Sequence, residues 1–206
     1  MFMGLFSSSA SITRFKVQGK LEEPVMETLV AGLKKNAIRE IDEDPADKVV
    51  GWTSFEKPYQ PDFEGNSLSI GTHWIFSLRI DKKKIPLKVV QKMCAQETVR
   101  KLTESGREFL SRNEKKLLRE NVISTLSLRI PATPNIYDLI WNYENACVLF
   151  LSNLKEANEE LETLFAKSFK LTLIRLFPYT MADLNVGLTD ADRDVLSTLT
   201  PTRFNE

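Results

Sequence analysis

Between Pro86 and Pro131 the chain contains no proline and a single glycine, Gly106. Proline ends a helix interior and glycine weakens one, so this spacing predicts two helices broken near Gly106. The apolar residues agree. Val89, Val90, Met93, Val99 and Leu102 recur through the first half, and Leu118, Val122 and Leu126 through the second. Helices are therefore predicted over 87–103 and 113–128, packed as a hairpin.

Charge is concentrated on this hairpin and on the strand end that leads into it. Formal charge over the 206 residues is zero, but three blocks hide in the average. Residues 1–78 carry 8 basic and 11 acidic side chains, residues 79–129 carry 14 and 6, and residues 130–206 carry 6 and 11. In "RIDKKK", Arg79, Lys82, Lys83 and Lys84 form the root of the hairpin. Lys88 and Lys92 follow one helical turn apart, and Arg112, Lys115, Lys116 and Arg119 cluster on the second helix, with Arg129 beyond it. An ordinary solvated surface mixes signs. A surface that follows a phosphate backbone needs many Lys and Arg with few acids, because each phosphate neutralised releases a counterion. On residues alone, a solvated face and a nucleic-acid contact both remain open.

The flanks read differently. Residues 10–17 alternate as a half-buried strand, with Thr13, Phe15 and Val17 on one side. Glu22, Glu23 and Pro24 open a helix carrying Val25, Leu29 and Leu33, and strands are predicted over 49–55 and 68–80. After the hairpin, "IYDLIWNY" and "ACVLFL" form a strand pair turning at Glu144 and Asn145. A helix with Leu154, Ala157, Leu161, Leu164 and Phe165 follows, then the strand "FKLTLIRLF" and a last helix capped by Thr189 with Asp192 as its reciprocal partner. The expected class is α+β: two small sheet-plus-helix layers, strand-helix-strand-strand and strand-strand-helix-strand, joined by the basic hairpin. The parts are expected at 1–85, 86–131 and 132–206.

Other classes are excluded or disfavoured. No run approaches the roughly 20 apolar residues of a membrane span, and the first residues lack the basic and long apolar regions of a secretory signal. Cys94 and Cys147 sit in apolar runs and are expected as free thiols. His73 is the single histidine, so no zinc site and no Ser-His-Asp or Cys-His set can be assembled. No glycine loop for phosphate occurs, and no cofactor or metal is expected. Trp52, Trp74 and Trp141 fall in predicted strands and are expected in the core.

Five segments, taken together, resemble one bacterial family: "VVGWTSF", "RIDKKKIPLKVVQKM", "SRNEKKLLRENVISTL", "IYDLIWNYENACVLFLSNLKEANEELETL" and "LTLIRLFP". In order and spacing they look like the recombination-associated protein RdgC family over about residues 6–182. The resemblance implies a cytoplasmic, nucleoid-associated protein that binds duplex DNA without reading sequence, forms a homodimeric ring and antagonises the RecA recombinase. It makes Arg79, Lys82, Lys83, Lys84, Lys88, Lys92, Arg112, Lys115, Lys116, Arg119 and Arg129 the candidate phosphate contacts. Lysine-rich contacts suit positioning on the backbone rather than base readout. Family members are commonly longer, so the C-terminal contribution to a ring is expected to be largely missing. The family's usual "R-A-F" after the second hairpin helix reads Arg129, Ile130, Pro131 here.

The family's exonuclease label makes a metal-dependent nuclease one alternative. Asp81-Lys82-Lys83 and Glu114-Lys115-Lys116 have the acid-x-lysine spacing, with Asp62 upstream. Such triplets are common in lysine-rich chains, so no catalytic residue is assigned. The other alternative is a non-catalytic α+β module whose basic hairpin docks an acidic protein.

Overall fold

The computed structural model describes residues 5, 7–63 and 68–200. Among these residues, seven strands form one antiparallel sheet: β1 (Thr13–Gln18), β2 (Lys48–Thr53), β3 (Ser69–Ile70), β4 (His73–Lys82), β5 (Thr133–Asn142), β6 (Cys147–Phe150) and β7 (Thr172–Arg175). The order is β2-β4-β5-β6-β1-β7, with β3 also on β4. The long central ladder joins β4 to β5, from His73 opposite Asn142 to Lys82 opposite Thr133.

Helices α1 (Val25–Lys35) and α4 (Lys155–Phe169) cover one face of this sheet. Register places Phe76 opposite Leu139, Leu139 opposite Phe150, and Leu78 opposite Trp52, so these side chains share that face. They pack with Phe15, Trp141, Leu29, Leu33, Leu161, Phe165 and Phe169 into the main core. Trp52 and Trp141 are fully buried there, as expected, and Trp74 stands edge-on to Trp141 at 5.1 Å. Gly32 makes the close approach of α1 and α4 possible: a Cβ there would lie 2.8 Å from the Phe169 ring.

The α+β class is as expected, but the two flanks do not make separate layers. Their strands pair through β4 and β5, and β1 inserts between β6 and β7 near the far end of the chain. Alternation in residues 13–18 states which face is buried and says nothing about which strands lie alongside. The single strand expected over 68–80 is broken at Gly71, whose φ of +61° turns the chain into the short β3–β4 hairpin. A helix absent from the expectations, α5 (Pro178–Val186), precedes the expected last helix, α6 (Asp190–Thr198). Its signals were present: Pro178 in the first turn and Gly187 in the left-handed conformation at its end. The Thr189–Asp192 capping box of α6 forms as expected.

The predicted hairpin forms as α2 (Leu87–Ser105) and α3 (Arg112–Ser127). Gly106 ends α2 with φ +64°, and Ser111 and Glu114 cap α3 reciprocally. Val90, Leu110, Leu118, Val122 and Leu126 build a small core of their own, distinct from the core beneath the sheet. The hairpin is an arm with its own packing, attached to the sheet between β4 and β5.

Candidate nucleic-acid interface

The basic run that ends β4 divides by the strand's two-residue period. Lys82 lies on the α4 side and donates to Glu156 at 2.5 Å, while Lys48 reaches Glu156 and Glu160 at 3.2 and 2.6 Å. These lysines lower the Glu156 carboxyl pKa, Lys82 most strongly.

Arg79 lies on the opposite face, 4 % exposed. Its Nε donates to Asp81 Oδ1 at 2.8 Å and its Nη2 to Oδ2 at 2.5 Å. Nη2 also approaches Glu40 at 3.1 Å, and the guanidinium stands 5.6 Å from the Tyr59 ring centroid. Burial works against its charge, and the Asp81 and Glu40 carboxylates more than offset it, raising its pKa.

Lys83 is 8 % exposed, and its ammonium donates to the backbone carbonyls of Asp42, Asp44 and Ser127 at 3.0, 2.7 and 2.6 Å. Arg79 and Lys83, expected among the phosphate contacts, are both buried and hydrogen-bonded within the protein. Their donors are spent inside the protein, and a phosphate oxygen could reach them only by breaking those bonds.

From Lys84 onward the basic side chains turn to solvent. Val90 packs against α3, and Lys88 and Lys92, two residues to either side of it, point away from α3 at about 200° around the helix. On α3, Leu118 and Val122 face α2, and Arg112, Lys115 and Arg119 line the exposed flank beside them. The two sets thus project in different directions, on the outer side of α2 and on one flank of α3. Lys84, Lys88, Lys92, Arg112, Lys115, Arg119 and Arg129 are all exposed. None of them forms an ion pair among the described residues. Four of the hairpin's five acids are drawn elsewhere: Glu97 and Glu104 to Arg100, Glu114 to Arg107, and Glu120 to Lys116 at a loose 3.9 Å, while Glu108 is exposed in the connection between the helices. The exposed stripes keep uncompensated positive charge, which is what a polyanion's backbone attracts.

Sequence reasoning missed the free end of the arm. Phe109, in the connection between the helices, is 76 % exposed, and Val99 and Leu117 are also open to solvent. The available signal was an aromatic beside Leu110 in a short connection between the two helices.

The acids of the two nuclease-like triplets do not fit a metal site. Asp81 is held at both oxygens by Arg79, and its triplet lysine, Lys83, is turned to the 42–44 carbonyls. Glu114 caps α3: the Ser111 backbone N–H, then the Ser111 hydroxyl and Arg107, hold its carboxyl at about 2. Asp62 pairs with Lys57 at 3.5 Å. Among the described residues no three His, Cys, Asp or Glu side chains converge in a manner suited to a metal ion. No described helix is long and apolar enough to cross a membrane.

Residues 10–185 match the family model described as "Putative exonuclease, RdgC". No curated protein matches the chain.

Proposed function

The chain belongs to the RdgC family, and from that premise we propose that it binds duplex DNA along the phosphate backbone, without reading sequence, at the nucleoid. The family is one of recombination-associated proteins, and a duplex so occupied is closed to a recombinase such as RecA. The observation that carries this reading is the set of exposed, unpaired cations on the arm, with four of the arm's five acids drawn to Arg100, Arg107 and Lys116 instead. Lysines on a helix surface position a protein on DNA and discriminate little between bases. Fluorescence anisotropy with unrelated duplexes of equal length tests it. Affinities are expected to agree within a few-fold, and a hundredfold preference for one sequence would contradict backbone binding.

The exposed Phe109 and Val99 at the arm's free end support self-association, which sedimentation across a concentration series would detect as a dimer. The family description names an exonuclease, but Asp81 and Glu114 are occupied by Arg79 and by the α3 cap. Linear duplex incubated with Mg²⁺ or Mn²⁺ is accordingly expected to stay intact. Degradation abolished by Glu114→Gln in a folded protein would overturn that expectation.

A further inference from the structure

We propose that Lys83 and the loop 42–47 form a lock that sets the angle of the basic arm against the sheet. The arm needs one, because its small core is separate from the main core and does not anchor it to the sheet. Two chain connections join arm to sheet, and the loop grips both. On the entry side, the Lys83 backbone N–H donates to the Asp47 carbonyl at 2.8 Å. On the exit side, the Ala132 backbone N–H donates to Asp42 Oδ1 at 2.8 Å.

The Lys83 ammonium completes the link. An ammonium has three donors, and here they go to Asp42, Asp44 and Ser127 carbonyls at 3.0, 2.7 and 2.6 Å. Ser127 is the last residue of α3, where carbonyls lack partners within the helix and carry the negative end of its dipole. One buried cation therefore ties the end of the arm to the loop. Beside this link, an open groove of about 400 Å³ lies between Pro45, Ala46 and Asp47 and the α3 residues Ile123 and Ser124. The loop's working parts are three backbone carbonyls and one carboxylate.

The consequence for DNA rests on the function proposed above. An arm held at one angle presents its cations already arranged, so less freedom is lost on binding. Lys83 is then a positioning residue that touches no phosphate.

The test uses the full chain with Cys94→Ser and Cys147→Ser, and spin labels placed at Gln96→Cys on α2 and Thr163→Cys on α4, both exposed positions. Label-to-label distance distributions are measured without DNA, and duplex affinity over a salt series is measured separately. Lys83→Met removes the three donors and keeps the stem. Asp42→Ala removes the exit-side acceptor at an exposed residue, and decides the matter if Lys83→Met does not fold. The parent is expected to give one narrow distribution, and both variants a broadened or shifted one with several-fold weaker duplex binding. Asp42→Ala separates the lock from simple electrostatics, because removing a negative charge near DNA by itself predicts tighter binding. The salt slope of Lys83→Met is expected to match the parent. A distribution unchanged from the parent in either folded variant overturns the lock, as does a slope for Lys83→Met shallower by about one unit, which would mark a direct phosphate contact. A parent that binds no duplex would overturn the proposed function, while the distances would still decide the lock.

Discussion

Arg79 and Asp81, two residues apart on β4, close a buried two-point ion pair, Nε to Oδ1 at 2.8 Å and Nη2 to Oδ2 at 2.5 Å. The strand period puts both on the face away from α1 and α4, where Glu40 and Tyr59 complete the cover over the guanidinium. Part of the positive charge in "RIDKKK" is therefore spent on the fold. Asp81→Ala would leave a buried guanidinium without its main counter-charge, a loss of about 3–5 kcal/mol. Chemical denaturation is expected to show that loss, and a midpoint within error of the parent would mean that Glu40 and solvent suffice.

Gly51 faces backbone at its Cα. A Cβ there would lie 2.5 Å from both N and Cα of Ile38, because the segment after α1 runs along the edge of β2. The Trp52 N–H donates to the Asn36 carbonyl and the Ile38 N–H to the Trp52 carbonyl, each at 2.9 Å, so the segment cannot simply recede. Gly51→Ala is expected to cost about 1–3 kcal/mol through overpacking. Thermal unfolding would measure it, and an unchanged midpoint would contradict the close pairing.

Glu114 gives the arm a defined response to acid. The Ser111 backbone N–H, with the Ser111 hydroxyl and Arg107, draws its carboxyl down to about 2 from an ordinary 4.5. A folded pKa below the unfolded one stabilises above the unfolded value, so the cap is fully effective above pH 4.5 and lost as pH falls towards 2. Protection factors for the amides of residues 112–116 are expected to fall through that window in the parent. In Glu114→Ala they should start lower and stay flat. Parallel curves in the two proteins would show that the cap does not titrate through Glu114.

The arm was legible in the sequence because its signals are local. Gly106 stops α2, and Val90, Leu118 and Val122 mark the facing sides through the spacing within each helix. Sheet assembly was not, because β1 pairs with β6 and β7 from the other end of the chain, and a period of two carries no partner information. The charge block was visible, but not its division. Lys83 and Lys84 are neighbours of the same type, yet one is buried among carbonyls and the other is exposed. That difference depends on the 42–47 loop lying against the end of α3, a tertiary arrangement with no local signature.

The salt dependence of duplex affinity tests DNA binding by the arm most directly, in Lys88→Gln/Lys92→Gln, in Lys115→Gln/Arg119→Gln, and in Lys82→Gln as a control. Exposed charges of this kind contribute only about tenths of a kcal/mol to folding, so the variants should stay folded. Each double variant is expected to bind unrelated duplexes more weakly by the same factor, with a log–log slope shallower by about 0.9 for every phosphate no longer neutralised. Lys82→Gln should leave the slope unchanged, since Glu156 already holds that ammonium. Affinity and slope equal to the parent's in both double variants would show that the arm is a solvated surface and contradict the DNA-binding account.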